Sequence, residues 1–589
     1  MFSKRSVTYN GLDCLADADT DEYRMYHQEL QAAISWASQA NYAKYTVYFG
    51  VATIFAATLK HLYYRYRDIR YRSKQSSNVG TALVDVLTSY CRYFGYMQVP
   101  KWLVFFSVPN SVGSALYMFL SSLYLLCYCL VPHFWYRGCG GFGSPPLGVR
   151  AGMMATALTP FIYVLAGKSN AITLLTGISY EKLNTFHQYV GVAAFVLGVI
   201  HTVPFVHQAL AEGGSSRLNE KFTTDFGYYS GIPPLILLGL LCILSKACIR
   251  KYVYELFLHA HWMMGIAYFG TLIWHIDSSL DADDYMWGAL AFWAAQIVYR
   301  ILIKTAFKPN AMFLRPREAS LEKLGDGVYQ VLVANTKGVK WEPGQHCFLR
   351  FVGFRILDSH PFSIASMDQD GATGMKFIIK AQKGLTKSLY KQLDKQIITN
   401  KKVYIDGPYG GTFRDPRAFE KVVLVSSGTG VTATLPFLTY LMGEAGALVK
   451  KITFIWVVRQ LEDVSWIRSE LLECQRLGGS KVDIQIHVTG NPQPAVEKQP
   501  DPEKELGTES SSADESELPI SYGRPSVSGI LMSMIGRFSS RNMIVCSGSD
   551  SMKREVSSTV SELQALVFNN DKYTTNVEEI YLHTESFAW

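Results

Sequence analysis

The chain has 589 residues, of which 49% are hydrophobic and 18% are charged, and its formal net charge is +7. This length allows several domains, and the long apolar runs are concentrated in the first 305 residues. The positive charge lies largely in short loops beside those runs, as expected for cytosolic loops of a membrane protein, which disfavours nucleic-acid binding. The ten cysteines lack CxxC spacing, so neither a zinc site nor a disulfide framework is indicated.

Residues 1–40 are predicted to form a polar extracytosolic segment, and a membrane domain is predicted to follow over residues 41–306. Each apolar run in that domain is close to the length of about 20 residues that crosses a bilayer. Basic residues follow the first run, whereas the loop 277–284 is acidic, so the N-terminus is expected outside and the C-terminal half in the cytosol. The predicted spans lie near 45–64, 104–131, 151–167, 185–207, 228–247, 254–275 and 285–304, and in the second of them Pro109-Asn110 would either break the helix or mark its start.

Two of these runs carry histidine pairs at the same spacing of 14 residues, His187 with His201 and His261 with His275. On an α-helix that spacing is a rise of about 21 Å and returns to within about 40° of the same face. Ionisable side chains inside a membrane indicate a functional site. The loop charges place His187 and His261 at one inner depth and the other two at one outer depth. Two stacked bis-histidine sites suit low-spin haem iron better than tetrahedral zinc, whose ligands cluster.

The second half of the chain changes to short runs rich in Val, Ile, Phe and Tyr between Gly and Pro turns, which predicts an antiparallel barrel or sandwich. Its segment HPFSIAS, residues 360–366, places a serine and an aromatic ring on a strand, where they suit contact with a planar ring. Gly384, Leu385 and Thr386 begin an amphipathic helix whose free N–H groups suit a pyrophosphate. Lys380 would add a countercharge.

The stretch KVVLVSSGTGVTATLPFL, residues 421–438, has the strand, glycine turn and helix that a dinucleotide site requires, although it lacks the full G-x-G-x-x-G. Further strands predict an α/β parallel sheet. Arg459 ends one of them and is either an ordinary surface arginine or a guanidinium that pairs with a 2′-phosphate, which would favour NADPH. Residues 491–522 are rich in Pro, Ser and acidic residues and are predicted to be a disordered insertion.

In this order, the His-x13-His helices, HPFS, the GLT turn, DGPYGG, SGTGVTATLP, GRP, CSGSDSM and a terminal aromatic resemble the fungal ferric-chelate reductase and NADPH oxidase superfamily. The resemblance covers roughly residues 100–589 and includes the ferric reductase transmembrane components. It implies a six-helix haem-binding core preceded by one extra span, which makes about seven. A cytosolic ferredoxin–NADP reductase-like module would follow, with an FAD-binding antiparallel β-barrel over 309–415 and an NADPH-binding α/β domain over 416–589.

The resemblance also assigns roles to single residues. FAD would contact His360, Pro361, Phe362 and Ser363, and its pyrophosphate would contact Lys380, Gly384, Leu385 and Thr386. The turn between the two domains, close to the nicotinamide, matches Gly407, Pro408, Tyr409 and Gly410. The NADPH-binding positions are Gly428, Thr429, Gly430, Arg459, Arg524, Cys546 and Gly548. A C-terminal aromatic, Phe587 or Trp589, would cover the flavin until nicotinamide displaces it. Ser427 stands where many members have glycine.

The expected activity is that of an NADPH-dependent ferric-chelate reductase in the plasma membrane, with internal membranes sharing the same sidedness. Electrons would pass from cytosolic NADPH by way of FAD and two b-type haems to a ferric or cupric chelate outside, in support of iron or copper uptake. A superoxide-generating NADPH oxidase that reduces O2 is the alternative. Ionisable residues also line ion paths, which leaves open a transporter or channel with a nucleotide-sensing domain.

Overall fold

The protein is described by a computed structural model that covers residues 7–73, 82–105, 108–132, 134–250, 252–302, 315–334, 339–354, 358–367, 374–443, 447–490, 518–569 and 576–585. The chain forms two compact units. The first, here called the helical unit, comprises Met1–His61, Phe105–Pro109 and Ser114–Lys304. The second, the sheet unit, comprises Leu62–Val104, Asn110–Gly113 and Thr305–Trp589.

Up to residue 302 the described chain is almost entirely helical. Its elements in order are β1 (Thr8–Tyr9), β2 (Leu12–Asp13), α1 (Asp21–Ala33), α2 (Asn41–Arg72), α3 (Ala82–Tyr96), α4 (Lys101–Phe105), α5 (Val112–Leu130), α6 (Pro146–Ala166), α7 (Ala171–Thr176), α8 (Tyr180–Thr224), α9 (Phe226–Ser230), α10 (Ile232–Leu244), α11 (Ala247–Arg250), α12 (Tyr254–Ile276) and α13 (Asp283–Leu302).

Five helical segments in the described residues have the length and apolarity to cross a membrane: α5, α6, α8, α9 with α10 (Phe226–Leu244), and α12 from Leu256. The helices α2 and α13 coincide with the first and last predicted spans but do not meet the same measure, so the count of seven stays a prediction. The second span was predicted to begin at residue 104. Helix α5, within this span, begins at Val112, after Pro109 and Asn110, which agrees with the alternative start at that dipeptide.

Helix α6 is the interior helix of the helical unit. In its apolar window 61% of the residues are buried inside the protein, against 11% to 28% in the other four segments. Its buried residues include Gly148, Ala151 and Ala157, whose small side chains let neighbouring helices approach closely. Helices α8 and α13 pack against it, which makes α6 the frame on which the histidine-bearing α8 is held.

A disulfide between Cys14 and Cys139 joins the N-terminal segment to the chain just before α6. The sequence interpretation, which found no indication of a disulfide framework, therefore missed this pair. The two residues are 125 positions apart, so no local spacing indicated their pairing. Tyr23 and Phe142 complete a small buried cluster around the bond, and Arg137 donates hydrogen bonds to two carbonyl groups at the end of α1.

The second half of the chain alternates strands and helices. Its elements in order are β3 (Arg317–Gly325), β4 (Val328–Val333), β5 (Gln345–Phe351), β6 (His360–Ser363), β7 (Met375–Lys380), α14 (Leu385–Asp394), β8 (Asn400–Gly410), β9 (Lys421–Ser427), α15 (Val431–Gly443), β10 (Lys451–Val458), α16 (Arg468–Gly478), β11 (Val482–Val488), β12 (Ile520–Tyr522), α17 (Val527–Ser533), β13 (Arg541–Ser547), α18 (Asp550–Leu563), α19 (Ala565–Phe568) and β14 (Glu579–Glu585).

These strands form an antiparallel sheet followed by a parallel sheet, as the sequence predicted. The first has the order β6-β5-β8-β3-β4-β7 and the second the order β12-β11-β10-β9-β13-β14. Strand β9 is buried along nearly its whole length, because helices cover both faces of the parallel sheet. The strand order reverses between β9 and β13, since β10 to β12 extend from β9 in one direction and β13 and β14 in the other.

Two predicted boundaries differ from the structure. The segment Leu62–Val104 was assigned to the membrane domain, yet it belongs to the sheet unit, where its charged residues find partners. The disordered insertion was predicted to extend to residue 522, yet Leu518 is buried and β12 pairs in parallel with β11. The apolar residues Leu518 and Ile520 explain why this end of the insertion is ordered. Residues 491–517 lie outside the described residues.

Candidate functional site

The four predicted histidines meet as two facing pairs inside the helical unit. The ring centres of His187 on α8 and His261 on α12 are 6.2 Å apart. Those of His201 and His275 are 5.9 Å apart, also between α8 and α12. The structure therefore brings together the pairs that the common 14-residue spacing predicted.

Each imidazole is held through its Nδ1 atom. The carbonyl oxygens of Ile162 and Gly148, both on α6, lie 3.0 Å and 2.8 Å from Nδ1 of His187 and His201. A carbonyl oxygen only accepts hydrogen bonds, so both histidines carry their proton on Nδ1. The lone pair of each Nε2 is then available to a metal, and the hydrogen bond fixes the ring orientation.

Two serines on either side of α10 contact the histidines of α12 in the same way. Ser230 is the last residue of α9, and Ser245 directly follows α10. The Oγ of Ser230 lies 3.0 Å from Nδ1 of His275, and the Oγ of Ser245 lies 3.2 Å from Nδ1 of His261. Each serine hydroxyl already donates its hydrogen to a carbonyl oxygen one turn earlier in the chain, that of Phe226 or Leu241. Both serines therefore accept from the imidazoles, which again leaves Nε2 free.

The spacing of the facing rings fits an iron between them. A metal about 2 Å from each coordinating nitrogen, with each ring centre roughly 1.1 Å further away, needs about 6 Å between ring centres. Both pairs meet that distance. Within the described residues no group of three or more His, Cys, Asp or Glu side chains is placed to hold a metal ion. Two axial imidazoles per level fit haem.

Glycines make room for the outer histidine pair. A Cβ atom on Gly152 would lie 2.5 Å from Nδ1 of His201, and one on Gly231 would lie 3.0 Å from Cε1 of His275. Any larger residue would displace an imidazole ring. The remaining histidines near the pairs are engaged elsewhere: Nδ1 of His259 accepts from the Trp262 indole, and the His207 ring packs against Tyr136.

The predicted flavin segment His360–Ser363 is strand β6, paired antiparallel with β5. Ser363 is buried and Phe362 packs on the core of the antiparallel sheet. Lys380 ends β7 and is exposed, four residues before Gly384. The turn Gly407, Pro408, Tyr409 and Gly410 ends β8 beside β5, where Tyr409 pairs with His346.

The turn before α14 leaves its first N–H groups open to a ligand. Gly384 precedes the helix at φ +60°, a left-handed conformation that glycine adopts readily, and no side chain caps the helix. The Thr386 hydroxyl accepts from the Gln382 N–H and donates to the Lys383 carbonyl, which fixes the turn. Leu385 is buried and anchors the helix. Such an uncapped N-terminus matches the predicted pyrophosphate site.

The two turns that follow β9 and β13 meet at the point where the strand order reverses. A Cβ atom on Gly430 would lie 2.5 Å from the carbonyl oxygen of Ser547, and one on Gly548 would lie 2.1 Å from Oγ of Ser427. Only glycine permits this approach. In open parallel sheets ligands bind at the carboxyl ends of strands beside such a reversal. Gly428, with Thr429 beside it, takes φ +51° in the same turn.

Ser427 is accommodated without strain. Its backbone is extended at φ −130°, so the position does not require the glycine that many members have. Its hydroxyl accepts a hydrogen bond of 2.9 Å from the Ser549 N–H and so joins the two turns. A glycine at position 427 would lack this contact.

Of the other residues predicted to bind the nucleotide, two lie beyond strand ends and one lies in the core. Arg459 follows β10 and Arg524 follows β12, so both lie beyond carboxyl ends of the parallel sheet. Cys546, on β13, is fully buried, and burial raises the pKa of its thiol to about 12, so it is a neutral core residue. Phe587 and Trp589 lie outside the described residues.

The residues that the sequence interpretation missed are those that hold the imidazoles. A signal for them exists in hindsight: Gly148 and Ile162 are 14 residues apart on α6, the spacing of the histidines they bind, and Ser230 and Ser245 are 15 apart. Carbonyl groups leave no trace in a sequence, whereas serines in an apolar run do. The two serines, at nearly the spacing of the histidines, were therefore the signal in the sequence that indicated residues in contact with the imidazoles.

Comparison with known proteins agrees with this arrangement. Residues 151–272 match the family model "Ferric reductase like transmembrane component", residues 313–413 match "FAD-binding domain", and residues 419–561 match "Ferric reductase NAD binding domain". A solved ferredoxin-NADP+ reductase from Plasmodium falciparum is 14% identical, with a TM-score of 0.31, and covers 46% of this chain and 96% of its own.

Among curated proteins, "Ferric/cupric reductase transmembrane component 7" of Saccharomyces cerevisiae is 35% identical over 99% of both chains. "Ferric reductase transmembrane component 5" of the same organism is 28% identical over 74% of this chain and 61% of its own length. The resemblance inferred from the motifs is confirmed. The chain belongs to the ferric reductase transmembrane component family and is an integral membrane oxidoreductase with an FAD-binding and an NAD-binding domain.

Proposed function

We propose that this protein uses cytosolic NADPH to reduce a ferric or cupric chelate on the opposite side of the membrane, with FAD and two b-type haems as its resident cofactors. The observation that supports this most strongly is the pair of facing imidazoles at each of two levels, every Nδ1 hydrogen-bonded and every Nε2 available. Relatives named ferric and cupric reductases support a metal acceptor.

When bound, FAD would take up a hydride and haem iron would carry single electrons, which converts a two-electron donor into one-electron steps. The protein's own residues supply placement. His187 with His261 would hold the inner haem, and His201 with His275 the outer haem. Both axial positions of each iron would be filled, so neither haem would bind a substrate directly.

The flavin and nucleotide positions belong to the same proposal. Ser363 and Phe362 on β6 would contact the flavin ring, and the open N–H groups of α14 would bind its pyrophosphate. The turns that meet at Gly430 and Gly548 would receive the NADPH pyrophosphate. Arg459 would select the 2′-phosphate. Phe587 or Trp589 would cover the flavin face until the nicotinamide replaces it.

The disulfide supports the proposed sidedness. Structural disulfides persist in oxidising, extracytosolic environments. Cys139 precedes α6 by seven residues, and Gly148, in the first turn of α6, binds His201. The disulfide therefore lies at the end of the helical unit that holds the His201 and His275 pair, which supports an extracytosolic location for that end, in agreement with the loop charges.

A cavity at the same end supplies a place for the acceptor. It has a volume of about 280 Å³ and is lined by Ile273, Trp274, Asp277, Ser278, Asp283 and Trp287. Trp274 is the residue immediately before His275. The two carboxylates favour a cationic metal species, and the tryptophans provide flat surfaces for a chelating ligand. The reduced metal would then serve an iron or copper uptake system at the plasma membrane.

The test is a spectrum followed by an acceptor comparison on the purified, full-length protein. A reduced-minus-oxidised spectrum should show bis-histidine b-type haem at about two per chain. With NADPH, reduction of ferric citrate should continue in the presence of superoxide dismutase and without oxygen. Absence of haem would overturn the proposal in favour of a transporter or channel. Reduction that needs oxygen and stops with superoxide dismutase would make the protein a superoxide-generating oxidase.

A further inference from the structure

The segment Leu62–Val104 is built into the sheet unit although about 200 residues separate it from the antiparallel sheet. Helix α3 packs on α18, α19 and β14. Tyr90 stacks on Phe568 with ring centres 4.4 Å apart, and the Ser561 hydroxyl donates to the Tyr93 carbonyl at 2.6 Å. These contacts make α3 a part of the nucleotide-binding half of the protein.

Helix α3 also provides hydrogen-bond partners for the strand β14 at the edge of the parallel sheet. Strand β14 is the last strand of that sheet and pairs on one side only, with β13. On its other side the Leu582 N–H donates to the Tyr96 hydroxyl at 3.1 Å, and Arg92 donates to the Ile580 carbonyl at 3.3 Å. An open strand edge is a site for unwanted pairing, so α3 fixes β14 and protects it.

A buried group of four charges connects the same segment to two strands and a linker. Asp68, near the end of α2, forms a two-point hydrogen bond with Arg414, both distances being 2.8 Å, and a third contact of 2.7 Å with Arg541. Glu579 contacts the same two guanidinium groups from the other side, at 2.6 Å and 2.8 Å. All four side chains are no more than 6% exposed.

Asp68 supplies one of the two carboxylates that offset the guanidinium charges of Arg414 and Arg541. Burial alone would raise the pKa of Glu579, but Arg414, Arg92 and Arg541 outweigh it and hold that pKa well below its ordinary value. Glu579 is therefore ionised and already shared among three guanidinium groups. Removing the charge of Asp68 would leave Arg414 and Arg541 close together with one carboxylate between them, in a place that water does not reach.

The group joins the linker between the two sheets to the first residues of β13 and β14. Arg414 lies four residues after Gly410, in the linker from the antiparallel to the parallel sheet, and Asp415 in that linker also pairs with Arg72 at 2.8 Å. Arg541 begins β13 and Glu579 begins β14. Strand β14 ends at Glu585, two residues before Phe587.

We infer that Asp68 and helix α3 are positioning elements for the reaction between NADPH and FAD: they set the linker after Gly410 and the strand β14 in the arrangement that hydride transfer requires. This rests on the proposed function. The described hydrogen bonds of Asp68 go to Arg414, Arg541 and the Asp415 N–H, and not to the turns at Gly430 and Gly548, which would bind the nucleotide. Loss of Asp68 should therefore slow the transfer more than it weakens nucleotide binding, because small misplacements of reacting groups cost rate steeply.

The experiment is anaerobic stopped-flow reduction of the flavin by NADPH, followed at 450 nm in the purified full-length protein over a range of NADPH concentrations. Asp68→Asn should lower the limiting rate constant on the order of tenfold, while the apparent Kd for NADPH changes by less than about twofold. Asp68→Glu, which keeps the charge, should recover most of the rate. Asp394→Asn, which removes an exposed ion pair with Lys323 in the same unit, is the matched control and should behave as wild type.

A limiting rate unchanged in Asp68→Asn overturns the inference, as does an equal loss in Asp394→Asn. If Asp68→Asn fails to retain flavin, the softer variant Tyr96→Phe decides: it removes only the hydroxyl that accepts from Leu582, and a limiting rate within error of wild type would overturn the inference. A wild-type protein whose flavin NADPH does not reduce would overturn the proposed function instead. The two failures are thus distinguishable.

Discussion

The hydroxyl of Ser230 accepts a hydrogen bond from Nδ1 of His275 because its own hydrogen is donated to the Phe226 carbonyl. This contact makes the imidazole a stronger electron donor at Nε2. A stronger donor stabilises ferric iron relative to ferrous iron, so this contact would lower the reduction potential of a haem held by His275.

The first prediction concerns that potential. In Ser230→Ala the potential of the outer haem should rise by roughly 30–60 mV, since a tenfold change in relative affinity for the two oxidation states is about 59 mV for one electron. Spectroelectrochemical titration measures it. Ser121→Ala is the control, because Ser121 is buried on α5 and bonds only to backbone carbonyls of its own helix. An equal shift in both variants would contradict the assignment.

The second prediction concerns the histidines as ligands. His201→Ala should remove about half of the haem absorbance, leave the flavin content unchanged and reduce NADPH-driven reduction of the outer acceptor at least a hundredfold, because one of the two levels has lost an axial ligand. His259→Ala is the matched control, since His259 accepts only from Trp262. Full activity with an unchanged haem spectrum in His201→Ala would show that this histidine does not bind haem.

The third prediction concerns the disulfide and the orientation of the chain. In intact cells a membrane-impermeant maleimide should label Cys14 and Cys139 only after an impermeant reductant has been added outside. Cys474, a buried residue of the sheet unit, should stay unlabelled and serves as the control. Replacing Cys14 by Ser should lower the thermal midpoint, because cross-links of long loops contribute about 2–5 kcal/mol. Labelling that requires permeabilised cells would reverse the proposed orientation.

The fourth prediction concerns the two glycine turns. Gly548→Ala should weaken NADPH binding at least tenfold with unchanged flavin content, because the new Cβ would lie 2.1 Å from Oγ of Ser427 and because the residue has φ +146°. Isothermal titration with NADP+ measures the affinity. Gly536→Ala is the control, since nothing lies within 4 Å of its Cβ position and its φ is not left-handed. Equal affinity in Gly548→Ala and wild type would place the nucleotide elsewhere.

The fifth prediction concerns the outer cavity. Replacing Asp277 and Asp283 by Asn should lower kcat/KM for a cationic cupric or cobaltic complex about twofold to fivefold and raise it for an anionic ferric chelate. The two effects have opposite signs because the local negative potential is removed. Both should fade at high ionic strength. Effects of the same sign for both acceptors would show that the carboxylates act through structure and not through their charge.

Sequence periodicity was sufficient to predict how the four histidines pair, because their spacing repeats in two helices. The 14-residue spacing placed His187 opposite His261 and His201 opposite His275, because helix geometry is regular over that distance. The glycine turns were also predictable, since a strand, a turn and a helix follow one another locally. The antiparallel and parallel sheets followed from the same local signals.

Contacts between residues far apart in the sequence could not be predicted from such local signals. Cys14 and Cys139 pair across 125 positions. The stretch after the first span was interpreted only as basic cytosolic residues, although Asp68 within it is a buried partner of Arg541. A charge beside a membrane helix is usually solvated, and nothing in its neighbours distinguishes one that a distant domain will enclose. The spacing of Ser230 and Ser245 shows that some of this information was present in the sequence.

The partnership of Asp68 with Arg541 spans 473 positions, which has a consequence for how the chain folds during synthesis. Domains generally fold in the order in which they are synthesised. Helix α3, however, can pack against β14 only after residues 579–585 have been synthesised. Non-local contacts of this kind slow folding, because the loop must close before the contact stabilises it. A fragment that starts after residue 305 would lack both Asp68 and α3, so it should expose the β14 edge and aggregate, whereas co-expression of residues 62–104 should restore its solubility.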